Sequence, residues 1–317
     1  MQNLTLARQE TSGGKTAAKA SFNLIMIFLM VGVVATDAGL SVSLGVSGVL
    51  NGIAYPCLAA AVFAVIYHFY PAPKIQQLAL LAMWMFVVTS GLSILIQLAG
   101  RSPAPVVDAN LAKLDSAFGF STASVVRSLA HHPVIRETLE VIYSSPLLLL
   151  LAAIVIPPYL GRERDSQRLI LSVTIAGILT AALFAILPAA GPWMVSGFAP
   201  TAEQANEAQY LALLKSSGPM RLDSRLAGVV AFPSFHVVLA ILPAIALWPI
   251  RRIRYVAGTL AAAVCVSTVT TGWHYLTDVI GGVAVVLISH KMATWALSAC
   301  DSNADESACQ QAAVGRN

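Results

Sequence analysis

The sequence predicts an all-α, polytopic integral membrane bundle of about eight transmembrane helices with an interfacial amphipathic segment. Three observations carry that expectation. Of 317 residues, 57% are hydrophobic and only 11% are charged, where a soluble domain averages about 25% charged. Mean hydropathy is +0.75. Apolar runs recur at about the 20 residues that a helix needs to cross a hydrocarbon core of about 30 Å. The net charge of +4 is small and its residues are scattered, which argues against a nucleic-acid partner. Cys57, Cys265, Cys300 and Cys309 form no CxxC pair, so neither a disulfide framework nor a zinc site is indicated.

Taken in order, residues 1–21 are a polar cytoplasmic N-terminal segment. Residues 22–100 hold three transmembrane helices, at 22–46, 51–70 and 76–100. The first lacks a small-residue cleavage site and is expected to be retained. It carries Asp37, and an acid inside a span is a functional candidate, with Tyr143 or Ser144 as possible pairing partners. Residues 101–136 form an outer interfacial amphipathic segment: Val107, Leu111, Leu114 and Phe118 recur at helical spacing with Asp108, Lys113 and Asp115 between them. Residues 137–297 form a catalytic helical bundle with spans at 137–158, 168–188, 232–250, 254–272 and 275–297. Pro243 and Pro249 kink or end the helix that contains them. Residues 298–317, rich in Ala, Ser, Gln and acids, are expected to be a disordered cytoplasmic tail.

Eight spans place both termini on one side. Twelve of the nineteen Lys and Arg fall on that side, including Arg251, Arg252 and Arg254 in a short loop. Positive residues accumulate in the cytoplasm. The termini are therefore expected inside, and the starts of the spans at 232 and 275 on the outer, periplasmic or luminal, face.

Two motifs open at that face: Pro233-Ser234-Phe235-His236 and His274-Tyr275-Leu276-Thr277-Asp278. Ionisable residues beside lipid are costly and call for a reason. Pro233 suits a first helical turn, and a helix N-terminus binds phosphate through free N–H groups and dipole. Ser234 adds a hydroxyl donor, and His236 sits in the same turn to exchange a proton with a phosphate ester. His274 and Asp278, four apart, share a helix face, where a carboxylate fixes the imidazole tautomer and readies it as nucleophile or base. The short turn at 251–254 makes the two helices antiparallel neighbours, so the motifs can meet. The same His and Asp could instead pack structurally, or hold a metal given a third ligand, but no characteristic spacing supplies one.

On these residues the chain resembles the type 2 phosphatidic acid phosphatase superfamily. More closely it is similar to the branch that includes inositol phosphorylceramide synthases. Pro233, Ser234 and His236 match the second motif, Pro-Ser-x-His; His274 and Asp278 match the His-x-x-x-Asp of the third. Gly272, Tyr275 and the stretch Leu187-Pro188-Ala189-Ala190-Gly191-Pro192-Trp193 agree with common family choices. The resemblance implies that His274 attacks phosphorus to give a phosphohistidine and that Asp278 orients it. It implies that His236 protonates the leaving alcohol and then activates water or an acceptor hydroxyl, with no metal and no cofactor. The first motif, Lys-x6-Arg-Pro, is missing; Thr268 stands where Arg is usual and Phe235 where Gly is. Ser234, Lys215, Arg221 and Arg225 are then the candidates for holding the substrate phosphate.

The leading expectation is a metal-independent lipid phosphatase or phosphotransferase acting at the outer face on a membrane phospholipid or sphingolipid. Hydrolysis and transfer share one intermediate, and no residue in the sequence separates them. The contrasting class is a non-catalytic transporter or assembly protein on the same scaffold, although transporters favour charges near the midplane in broken helices. A metal-dependent membrane hydrolase is a third class.

Overall fold

A computed structural model describes residues 2–47, 49–70, 72–216, 218–221 and 230–314, with the side chains of 2–20, 49–57, 67, 300, 301 and 303–314 left aside. The architecture is all-α. The helices are α1 (Gln2–Ser43), α2 (Val49–Phe69), α3 (Pro73–Gly100), α4 (Asp108–Ala117), α5 (Thr122–Leu129) and α6 (Pro133–Tyr143). They continue as α7 (Pro146–Tyr159), α8 (Glu163–Ile186), α9 (Ala202–Lys215), α10 (Phe235–Leu247), α11 (Arg254–Thr270) and α12 (Leu276–Val314). Strand structure among the described residues is one parallel two-residue pair, Val46–Ser47 with Met220–Arg221.

Five helical stretches among the described residues are long and apolar enough to cross a membrane: Ser21–Ser43, Pro73–Gly100, Pro133–Tyr159, Glu163–Ile186 and Leu276–Ala299. Their outward sides are apolar, with Phe28 78%, Leu148 66%, Leu287 65% and Trp295 72% exposed. A water-facing surface would not carry such a belt; lipid accepts it. The protein is an integral membrane protein. The runs at 232–250 and 254–272 form shorter apolar helices of 13 and 17 residues. Residues 248–253 leave the helix as a turn, where Trp248 N–H donates to Ile245 and Ile250 N–H to Leu247, and Pro249 has no N–H to offer. The last helix continues to Val314, so residues 298–314 are helical where composition predicts a disordered tail.

Helix α10 is the hub, packed against α7, α8, α11 and α12. Its Val237, Val238 and Ala240 are fully buried, and Leu242 and Leu247 nearly so. The core continues through Ile170, Ala176 and Phe184 of α8 to Val88 and Leu92 of α3. Two short helices, α4 and α5, occupy the interfacial segment, and α9 begins with a capping box in which Thr201 and Gln204 bond each other's backbone N–H groups. All three lie near the end of the bundle where α10 and α12 start: α4 contacts α12, α5 contacts α11, and Gln204 donates to the Thr271 carbonyl just before His274.

Candidate active site

The Pro-Ser-x-His segment enters α10 differently from the first-turn arrangement expected for Pro233. Ser234 is the N-cap and Pro233 precedes it, so the helix starts at Phe235. The cause is a tie to α12: Ser234 N–H donates to the Asp278 carbonyl at 3.1 Å, holding Ser234 extended, outside the helix. Its N–H is therefore not free, whereas Phe235, His236 and Val237 keep the first-turn N–H groups that have no intrahelical acceptor. The Ser234 hydroxyl caps nothing; it is buried without a partner among the described residues. The approach of α12 depends on Gly282, because a Cβ there would lie 2.7 Å from the Ser234 carbonyl oxygen and 2.9 Å from Val237 Cβ.

His274 sits in the turn between α11 and α12, its N–H bonded to the Thr268 carbonyl. Its Nδ1 lies 2.9 Å from the Ala231 carbonyl oxygen and 3.4 Å from Asp278 Oδ2. Two acceptors at Nδ1 assign the proton there and leave the lone pair on Nε2. Asp278 is thus within reach, as its spacing predicts, but the Ala231 carbonyl is the nearer partner. Asp278 Oδ2 also accepts the Tyr275 N–H at 2.8 Å, while Oδ1 is buried with no partner among the described residues. His274 is 3% exposed and Asp278 0%. Burial pulls the His274 imidazole down to about 4, with the Ala231 hydrogen bond acting in the opposite sense.

His236 and His274 meet. Their ring centroids stand 5.9 Å apart with planes tilted by 58°.

The structure adds an aromatic wall that sequence patterning did not find. The Tyr143 ring stacks on His236 at 4.1 Å, and its hydroxyl lies 3.2 Å from His236 Nδ1. Trp273 stacks on Tyr143 at 5.5 Å and Trp193 meets Trp273 edge-on at 5.6 Å. Tyr143, a suggested partner for Asp37, is engaged with His236 instead; Asp37 is buried with Oδ1 unpartnered among the described residues.

Two aspartates of α4 are the larger omission. Asp108 accepts from Ala190 N–H (3.0 Å), Gly191 N–H (2.8 Å) and the Tyr275 hydroxyl (3.2 Å). Asp115 accepts from Leu276 N–H (2.8 Å), Thr277 N–H (2.9 Å) and the Thr277 hydroxyl (2.6 Å). Asp115 therefore caps the N-terminus of α12 in place of a residue of its own chain segment. Burial pushes Asp108 upward, opposed by these donors. The segment read as an outer amphipathic helix is rotated: Asp108, Leu111 and Asp115 face in, and Leu114 and Phe118 are 48% and 66% exposed. The i, i+3, i+7 spacing of the buried set was available as a signal. Carboxylates go inward because the surface they meet is a set of unpaired donors rather than an apolar one. Gly191, with φ 142°, allows its N–H to reach Asp108 while its carbonyl shares the single Tyr275 hydroxyl proton with Asp108, and a Cβ there would strike Trp193 at 2.5 Å.

The proposed phosphate cations are not all at hand. Lys215 Nζ donates to the Ser102 carbonyl (2.7 Å), the Ala104 carbonyl (3.0 Å) and Ser102 Oγ (3.4 Å), which occupies its three hydrogens. Burial lowers its affinity for a proton. Arg221 is exposed in the short strand beside Ser47 and makes no hydrogen bond to the histidines among the described residues. Arg225 lies outside the described residues. Among the described residues no group of three His, Cys, Asp or Glu is arranged to hold a metal ion.

Comparison with known proteins gives one match. The family model of the PAP2 superfamily covers residues 109–292, more than half of the chain, with both histidine motifs, Tyr143, Asp115 and the 190–191 loop inside the match and Asp108 just before it. No curated protein and no solved structure matches.

Proposed function

The chain belongs to the PAP2 superfamily, whose membership supports a phosphatase or phosphotransferase type of function, and on that premise we propose that it cleaves or transfers the phosphate of a lipid phosphoester through His274. The observation that carries the proposal is the meeting of the buried His274 imidazole and the half-buried His236 imidazole, ring centroids 5.9 Å apart, beside a Ser234 hydroxyl that has no partner among the described residues. In the proposed first step, Nε2 of His274 bonds to phosphorus as the bond to the leaving alcohol breaks. His236 enters this step as the imidazolium, its Nδ1–H facing the Tyr143 oxygen, and gives its Nε2 proton to the leaving oxygen, which leaves a neutral ring to act as base. In the second step, His236 takes a proton from water or an acceptor hydroxyl, whose oxygen displaces His274 from phosphorus. Ser234 and the first-turn N–H groups of α10 hold the phosphate oxygens. Arg225 is the remaining cation candidate, and Lys215 acts as a clamp on residues 102–104.

The reading includes eight membrane crossings, both termini in the cytoplasm, and a site on the outer face. It also includes a metal-independent reaction and a substrate preference resembling that of the inositol phosphorylceramide synthase branch. The deciding experiment incubates the purified protein with labelled lipid phosphates and phosphodiesters, with and without alcohol acceptors, in the presence of a chelator. Turnover is expected, lost in His274→Ala and unaffected by chelation. Wild-type turnover by His274→Ala would remove the proposed nucleophile, and restoration by zinc after chelation would favour a metal enzyme.

A further inference from the structure

Away from His236 and His274, the bundle contains a cavity of about 660 Å³ between α8, α10, α11 and α12. That volume is within the roughly 300–1,000 Å³ of small-molecule sites. It runs beside the half of α10 remote from His236, from Ile241 to Ala246, and on to Trp248 and Pro249 in the turn that follows. Small residues open it: Gly258 and Ala261 on α11 face the larger side chains of α10, and a Cβ on Gly258 would already touch the Trp248 ring at 3.0 Å. The walls are mostly apolar; the polar lining is Asp165, Arg168 and, one turn deeper, Ser172 along one line of α8, with His290 of α12 and Cys265 of α11.

Arg168 and Ser172 indicate what the cavity receives. Ser172 is fully buried and its hydroxyl has no partner among the described residues. A buried hydroxyl left in that state costs free energy that a ligand oxygen would recover. Arg168 bonds Asp165 with one terminal nitrogen at 3.3 Å, while its Nε has no acceptor among the described residues. Asp165 is also held by Arg162 at 2.7 Å, so one carboxylate serves two guanidinium groups. Arg251 and Arg252 stand exposed in the turn that follows Trp248. An apolar slot whose rim carries the Arg168 guanidinium, with its Nε–H still unpaired among the described residues and Arg251 and Arg252 close by in sequence to Trp248, matches an anionic amphiphile, and basic pockets between membrane helices take such headgroups.

We propose that this cavity is a second lipid site, which holds one acyl chain of an anionic phospholipid with its phosphate against Arg168. It belongs to the leaflet opposite the histidine pair and takes no part in the phosphoryl chemistry. The site therefore stands or falls separately from the function proposed above.

Trp248 provides the readout. The full chain is reconstituted in phosphatidylcholine vesicles containing phosphatidylglycerol brominated on one chain, or an equal fraction of similarly brominated phosphatidylcholine. Quenching assigned to Trp248 is the difference between the wild type and Trp248→Phe. The expected result is about fivefold tighter apparent association of the anionic lipid, the worth of one arginine near the surface. The preference disappears in Arg168→Gln, and Ala261→Phe removes the Trp248 quenching by filling the slot. His274→Ala binds the probe as the wild type does. Equal quenching by the two brominated lipids, or a preference that survives Arg168→Gln, overturns the proposal even if Ala261→Phe fails to fold.

Discussion

Replacing Asp115 with alanine tests whether α4 positions His274, the proposed nucleophile. The carboxylate accepts three hydrogen bonds, two from the first N–H groups of α12 and one from the Thr277 hydroxyl. Hydrogen bonds to a charged acceptor contribute about 1.5–3 kcal/mol each. Leu276 and Thr277 are only half-buried, so water replaces part of what is lost. The net cost to the α12 terminus is then about 3 kcal/mol rather than the sum of three bonds. That terminus carries Tyr275 N–H and Asp278, and through them one side of the His274 ring. A displacement of about 1 Å at a reacting group lowers rate by about 100-fold. Asp115→Ala is therefore expected to lower kcat for lipid phosphate hydrolysis about 100-fold and to change KM by less than about threefold. Asp115→Asn, which keeps one acceptor but turns an amide toward a donor, falls between. Phosphate release in mixed micelles, with a thermal melt of each variant, measures both effects. A folded Asp115→Ala protein with kcat within about threefold of wild type, or a loss confined to KM, refutes the positioning argument.

Other outcomes follow from the same geometry. His274, held at about 4 by burial against an unfolded value of 6.5, binds fewer protons folded than unfolded between those values. Its contribution is complete above pH 6.5, is lost as pH falls toward 4, and amounts to about 3 kcal/mol. The fall in melting temperature over that range should be smaller in His274→Gln. Tyr143→Phe keeps the 4.1 Å stacking on His236 but loses the hydroxyl at 3.2 Å. It is expected to lower kcat about tenfold, with circular dichroism unchanged. Gly282→Ala forces α12 from Ser234 and should destabilise by about 1–3 kcal/mol, read as a lower melting temperature. Gly32→Ala, with nothing within 4 Å of the added Cβ, is the matched control.

Much of the scaffold was legible in composition and period. Apolar runs of spanning length gave helices, and the two histidine motifs predicted a meeting that the 5.9 Å ring separation bears out as geometry. What patterning missed has a common physical cause. Asp108 and Asp115 look like a solvated face because helix periodicity counts apolar residues inward, yet their contact surface is made of backbone donors at 190–191 and 276–277. Tyr143 lies 93 positions from His236, and only tertiary packing stacks the rings. The order of Pro233 and the helix start turned on one long-range bond, Ser234 N–H to the Asp278 carbonyl, which local capping preference does not contain. Lys215 carries the right charge for a phosphate, but the 102–104 carbonyls reach it first.

The inward carboxylates of α4 bear on how short a working fragment can be. A truncation begun at residue 137, where the catalytic bundle was drawn from sequence, would discard both. One begun at residue 109, where the family match opens, would still discard Asp108 and the Val107 N–H bond to the Pro188 carbonyl. The smallest piece that retains the 190–191 loop and the start of α12 in their present places must reach back to residue 107 at least.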